Sequence, residues 1–188
     1  MPHKFSPRNI ERLLRNDRLG GITAQGLLEE AGLKKGMVFA DIGCGPGFFV
    51  LPASRIVGES GIVYAVDTQE EMLAELKKRA FSPNIVPVKS GENTIPVDDG
   101  KVDFALLAYV LHEAESKPLF LGEVKRILKD GGKVLVLDWE KKEEDHGPPF
   151  EERVPRLEAV GLVKDGGFDI SGISSFNPSH YRIEALKK

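Results

Sequence analysis

The sequence predicts an α/β protein: a seven-stranded, mostly parallel sheet with helices on both faces and a C-terminal antiparallel hairpin. Three observations carry that expectation. Apolar strand-like runs alternate with amphipathic helical stretches between residues 38 and 139, a Gly-rich turn follows the first run, and two β-like runs close the chain. Right-handed crossovers place the helices on both faces of such a sheet.

In chain order, "SPRNIERLLRNDR" (6–18) puts Ile10, Leu13 and Leu14 on one helical face, with Ser6 as N-cap and Pro7 at the first helical position. Thr23 caps a short helix through "AQGLLEEAG", which stops at Gly32. "MVFADI" is a buried strand, and "FFVLPASRIVG" resumes helical spacing until Gly58. "GIVYAVD" is the second strand, and Thr68 and Glu71 have capping-box spacing for the next helix. "NIVPVKS" is a third strand that Pro87 confines to an edge or a bulge. "KVDFALLAYV" is the fourth. "SKPLFLGEVKRILKDGG" is a helix capped by Ser116 and stopped at Gly131, and "KVLVLDWE" is the fifth strand. A charged, Pro-ended loop, "EKKEEDHGPP", is expected to be mobile. A short helix near Arg153 to Val160 follows it. "GGFDISGIS" and "SHYRIEALKK" then form the hairpin around Asn177 and Pro178.

At 188 residues, 41% hydrophobic and 29% charged, the chain can bury one sizeable core. One domain is expected, residues 1–32 forming a helical cap on a core of 33–188. A formal net charge of −3 with interspersed signs gives no electrostatic footprint for nucleic acid. A lone cysteine, Cys44, rules out an internal disulfide framework and a Cys-rich zinc site, and it fits a reducing cytoplasm. The first residues lack the apolar core of a signal peptide, and no apolar run approaches the roughly 20 residues that span a bilayer. These features point to a soluble, cytoplasmic protein without a membrane span and without a metal site.

In a sheet of this kind, ligands bind at the carboxyl ends of the strands. That rule collects Asp41 with the turn "GCGPG", Asp67, the Tyr109 to Glu113 segment and the Asp138 to Glu140 segment along one rim. Glycines at 43, 45 and 47 let a ligand approach the main chain and allow positive φ. A dinucleotide fingerprint needs Gly-x-Gly-x-x-Gly, whereas here the third glycine comes one residue early and Phe48 stands in its place. Asp67, about 20 residues beyond the turn, is placed to accept ribose hydroxyls, and equally to cap the following helix.

"VFADIGCGPGFF", "VYAVD", "VDFALLAYVLHE" and "LKDGGKVLVLDWE", in this order and at these intervals, resemble the successive motifs of class I S-adenosylmethionine-dependent methyltransferases. The likeness covers roughly residues 33–140 and is nearest to the ubiquinone/menaquinone-biosynthesis-like type that acts on small molecules. It implies a Rossmann-like fold, S-adenosyl-L-methionine as cofactor and in-line methyl transfer to a small-molecule acceptor by a monomer or homodimer.

Carried over residue by residue, the resemblance puts Asp41, Gly43, Cys44, Gly45 and Gly47 around the methionyl part of the cofactor. Asp67 would hold the ribose, flanked by Thr68 and Gln69. Ser90, Gly91 and Glu92 would lie near the adenine, although the family often has an acid and a small residue where Ser90 and Gly91 stand. Tyr109, Val110 and Leu111 would lie beside the cofactor, with His112 and Glu113 facing the acceptor. Phe5, in a short N-terminal leader, would line the acceptor pocket.

An activated methyl needs an aligned lone pair more than it needs a base, so positioning carries much of the catalysis. A base serves only a protic acceptor, and His112 is the candidate, with Glu113 either orienting its imidazole or facing solvent. The competing reading is that His112 merely shapes the pocket. His3, His146 and His180 receive no role. With so short a leader, the acceptor pocket is expected to be shallow, open or completed by another subunit. Two alternatives differ in class: a non-catalytic S-adenosylmethionine-binding module or subunit, and a nicotinamide-dependent oxidoreductase. Aminopropyl transfer on the same fold is a further one.

Overall fold

The computed structural model describes residues 14, 19, 21–80 and 82–188. Seven strands form one sheet: β1 (Val38–Ile42), β2 (Ile62–Asp67), β3 (Ile85–Lys89), β4 (Val102–Ala108), β5 (Leu128–Trp139), β6 (Phe168–Asn177) and β7 (His180–Lys187). Their order is β3-β2-β1-β4-β5-β7-β6. The pairs among β1 to β5 are parallel, and β7 runs antiparallel to both β5 and β6. The strand order reverses between β1 and β4, which is where a crevice opens at the carboxyl edge of such sheets.

Strand alternation divides the core into two layers. Phe39, Val63, Ala65, Phe104, Leu106, Leu135 and Leu137 face helices α1 (Ala24–Glu30), α2 (Val50–Val57) and α3 (Glu70–Lys77). Ala40, Val66, Ala105, Leu107, Val134, Val136 and Ile183 face α4 (Lys117–Ile127) and α5 (Arg156–Asp165). Val102 lies on the α4 side although its parity matches Phe104 on the other, and a register irregularity between these two residues accounts for the change of face.

The first helix begins as the sequence predicts, with Thr23 Oγ1 accepting the Gly26 N–H at 3.0 Å. Three other expectations are corrected. The capping box of Thr68 and Glu71 does not form: Gln69 occupies the N-cap position of α3, and the Asp67 side chain accepts its N–H. The helix expected to reach Gly131 ends at Ile127. There the amides of Gly100 and Lys101 take the carbonyls of Arg126 and Ile127, and Leu128 leaves the helix to pair with Val102. Ser116 holds the N-cap position of that helix without a side-chain cap bond. The helix expected near 153–160 runs over Arg156–Asp165, because the residues before it fold around Arg153. Pro87 does sit in the edge strand β3, and the hairpin turns at Pro178 as expected.

The helix expected over 6–18 and the cap function of residues 1–32 fall mostly outside the described residues, as does Phe5. Among the described residues, no helix is long and apolar enough to cross a membrane.

Candidate active site

The glycine turn and the acid ending β2 form one hydrogen-bonded unit. Gly43 and Cys44 both donate to the carbonyl of Val66, at 2.8 and 2.9 Å, which lays the turn across the end of β2. Gly45 N–H donates to Asp67 Oδ2 and Gln69 N–H to Asp67 Oδ1, each at 2.8 Å. One carboxylate thereby ties the turn to the start of α3.

Two of the turn glycines are required by the protein's own packing. At Gly43 (φ +77°) a Cβ would lie 2.2 Å from Cγ1 of Val110, and at Gly47 (φ +94°) it would lie 2.4 Å from Cδ1 of Leu76. The missing Cβ positions are filled by the loop after β4 and by α3, a packing requirement that stands beside the expected ligand approach. The contact also makes the turn and the Tyr109–His112 segment direct neighbours.

Asp41, one residue before the end of β1, is buried and pairs with Ala65 and Leu106 on the neighbouring strands. Cys44 is buried too. Burial, followed by the charges of Asp41 and Asp67, pushes its thiol well above the ordinary range, so it stays protonated and inert as a nucleophile. The same two charges mark the turn as an electronegative cradle. It complements a cationic, hydroxyl-bearing ligand and opposes a pyrophosphate, so the donor set fits S-adenosylmethionine better than a dinucleotide.

Beyond β3, Ser90 is buried and donates its N–H to the carbonyl of Asp67 at 3.0 Å, which seats the start of this loop beside the acid. Lys89 Nζ donates to the carbonyl of Thr68 at 2.8 Å and ties the ends of β2 and β3 together. Gly91 donates to the carbonyl of Thr94, and Glu92 is exposed in the resulting turn. The rest of the loop is anchored on α4. Arg126 donates to the carbonyls of Ile95 and Val97, at 2.7 and 2.9 Å, and Glu123 accepts the Ile95 N–H at 2.8 Å.

At the end of β4 the chain makes a strained bend. Tyr109 has φ +62°, a left-handed conformation that costs a non-glycine residue about 1–3 kcal/mol and persists where surroundings enforce it. Its N–H donates to the carbonyl of Leu137 at 2.7 Å. The Tyr109 ring joins Trp139 of β5 and His180 of β7, with centroids 6.0 and 4.9 Å away, and the Trp139 and His180 rings lie 4.2 Å apart. Asn177 Oδ1 accepts the Ser179 N–H and therefore acts as an acceptor, so His180 Nδ1, 2.9 Å from it, carries a proton. His146 meets the Trp139 ring edge-on, with centroids 5.6 Å apart.

Three residues after Tyr109, His112 is buried with its Nδ1 2.7 Å from Oδ1 of Asp138. Asp138 Oδ2 accepts the His112 backbone N–H at 3.1 Å, and Oδ1 also accepts the Trp139 N–H at 2.8 Å. As for the two roles open to Glu113, its carboxylate lies 4.0 Å from Nε2 with its side chain 26% exposed, whereas Asp138 hydrogen-bonds the ring at Nδ1. Burial pulls the imidazole pKa down, but the charge and hydrogen bond of Asp138, aided by Glu113 and Glu152, outweigh it and hold the group above its ordinary 6.5.

The 140–155 loop closes this end of the sheet. It was expected to be mobile. The structure instead gathers it around the buried guanidinium of Arg153, which donates to the carbonyls of Glu140, Lys142, His146 and Pro148 and to Glu144. The guanidinium carbon lies 5.0 Å from the Trp139 ring centroid, and a Cβ at Gly147 would meet that ring at 2.8 Å.

The structure thus brings Asp41, Gly43, Cys44, Gly45, Gly47, Asp67 and Ser90 together at the turn, with His112 and Tyr109 at the adjoining bend. Leu111, expected beside the cofactor, lies in the core with no exposed surface. Sequence reasoning left Arg153 and His180 without a role and did not pair Asp138 with His112. The last omission had a legible signal: Asp138 interrupts an otherwise apolar strand on the same face as Val134 and Val136.

Comparison with known proteins agrees with this geometry. Residues 40–136 match a family model described as a methyltransferase domain. The chain is 31% identical over 122 residues to a ubiquinone/menaquinone biosynthesis C-methyltransferase of Shewanella pealeana, covering 63% of this chain and 49% of that protein. A 2-phytyl-1,4-naphtoquinone methyltransferase of Trichormus variabilis is 31% identical over 163 residues, covering 81% of this chain and 71% of that protein. The chain therefore spans about half the length of the first of these relatives. The crystal structure of a SAM-dependent methyltransferase from Aquifex aeolicus superposes with a TM-score of 0.92 at 35% identity, over 98% of this chain and 100% of that one.

Proposed function

Because the chain belongs to the S-adenosylmethionine-dependent methyltransferases, we propose that it methylates a small, ring-bearing acceptor held between His112 and the Tyr109, Trp139 and His180 wall. The observation that carries this reading is the contact of Val110 with the Gly43 position, which sets the glycine turn directly against the bend bearing Tyr109 and His112.

In this reading Asp41 and Asp67 flank the cofactor's cationic and ribose portions, and the Ser90 to Glu92 turn borders its base. When bound, the sulfonium supplies a methyl whose C–S electron pair leaves with sulfur. The Tyr109, Trp139 and His180 rings cluster at the bend, and in this reading they pair with a conjugated ring. His112 Nε2 removes the proton that a phenol, quinol or methylated ring carbon must lose, and the acceptor's electron pair forms the new bond to the methyl. The proton returns to solvent past Glu113, whose side chain is 26% exposed. Rings of the quinone and naphthoquinone class, which the names of the curated relatives contain, head the list of acceptors, in the reduced form that carries a proton to lose.

The reading is tested by calorimetry with S-adenosylmethionine, its demethylated product and NAD, followed by a screen of ring acceptors with methyl-labelled cofactor. Binding of the first two and label transfer to a ring acceptor are expected. Preference for NAD overturns the reading. Binding without transfer to any acceptor favours the non-catalytic module.

A further inference from the structure

We propose that Asp138 is the positioning residue of the reaction: from the end of β5 it fixes the tautomer and orientation of His112 and, with the same carboxylate, the start of the Trp139 wall. The proposal rests on the reading of His112 as the proton acceptor, and it adds a residue that acts only through others.

The geometry is specific. Asp138 is 1% exposed and His112 4%, so water does not compete for their contact. A buried carboxylate must fill its lone pairs, and Asp138 accepts three N–H groups: the imidazole Nδ1–H, the His112 main-chain N–H and the Trp139 main-chain N–H. Two of these come from the same residue 26 positions upstream, so both ring and backbone of His112 are held. A carboxylate can only accept, so Nδ1 carries the hydrogen and Nε2 presents its lone pair when the ring is neutral. Only Nε2 can then collect a proton from an acceptor.

Three acids face the imidazole from three elements: Asp138 from β5, Glu113 from its own loop and Glu152 from the 3-10 turn Phe150–Glu152. Their charges favour the imidazolium that forms when the proton arrives. Of these acids, Asp138 hydrogen-bonds the ring directly, whereas Glu113 stands 4.0 Å from Nε2. A direct hydrogen bond sets the tautomer, whereas the two remoter charges bias only the charge state. Asp138 is thereby distinguished from its neighbours.

Nuclear magnetic resonance of protein with 15N-labelled histidine tests the proposal without any acceptor. In the wild-type protein, one histidine, identified by its loss in His112→Gln, should show a protonated Nδ1 at high pH and a pKa above the ordinary imidazole range. In Asp138→Asn the pKa should fall and the Nδ1 proton should exchange faster, because a neutral amide oxygen holds it less tightly than a carboxylate. With a ring acceptor, the same variant should lower kcat by at least about tenfold while leaving cofactor affinity within about twofold. Glu113→Gln should lower the pKa yet keep the Nδ1 proton.

A wild-type His112 protonated on Nε2 when neutral overturns the proposal, and it does so even if Asp138→Asn fails to fold. An unchanged pKa and Nδ1 proton exchange in Asp138→Asn do the same. Normal turnover by His112→Gln overturns instead the base reading beneath it, whatever the resonance data show for Asp138.

Discussion

Asp67 Oδ2 accepts the main-chain N–H of Gly45 at 2.8 Å across 22 residues of chain, while its other oxygen holds Gln69. The acid that ends β2 is thus part of the glycine turn's own framework, so under the proposed function its replacement should affect cofactor binding and local stability together.

Replacing Asp67 by Asn keeps the shape and removes the charge, and the amide nitrogen then faces one of two main-chain donors. Each charge-assisted bond lost is worth roughly 1.5–3 kcal/mol, so affinity for S-adenosylmethionine should fall at least about tenfold, with a lower melting temperature. Calorimetry and a thermal scan measure the two effects separately. A fall in stability with undiminished affinity would reduce Asp67 to a structural tie.

Gly43→Ala should cost about 1–3 kcal/mol from overpacking on Val110, and about 1–2 kcal/mol more from the left-handed backbone. Shortening the obstructing side chain should relieve the first part. In denaturant unfolding, Gly43→Ala with Val110→Ala should be less destabilised than the sum of the two single changes. Strict additivity would mean that the Val110 contact does not set the requirement for glycine.

The Arg153 loop gives a pH signature. Burial pushes the Glu144 carboxyl up, but hydrogen bonds from Ser179, Lys142 and Arg153 prevail and hold it down at about 2, against an ordinary 4.5. A group depressed in the folded state stabilises above its unfolded pKa, and that contribution disappears as pH falls through the folded value. Wild-type stability should therefore decline between pH 4.5 and about 2, where Glu144→Gln should lack this component of the decline. Arg153→Ala should destabilise by about 3–5 kcal/mol at neutral pH, because it also strands the carbonyls that the guanidinium satisfies. Unfolding curves across this range check both outcomes.

The sequence by itself determined the layers and the rim. Apolar alternation in "MVFADI", "GIVYAVD" and "KVLVLDWE" is local information, and it sufficed to put Asp41, Asp67 and Asp138 at strand ends on one edge. Glycine at 43 and 47 was legible as a turn for the same reason. Tertiary structure decided what those residues touch. The end of α4 depends on amides of Gly100 and Lys101, more than 25 positions upstream, and the loop after β5 is shaped by a guanidinium whose partners lie 5 to 13 residues away. The partner of His112 followed the same logic. Glu113 is adjacent in sequence, yet the bend at Tyr109 and the register of β4 with β5 carry the buried ring to Asp138, where a desolvated carboxylate must find donors. Periodicity fixes which face a side chain joins, but hydrogen-bond satisfaction inside the folded core fixes its partner, and that depends on distances no local pattern contains.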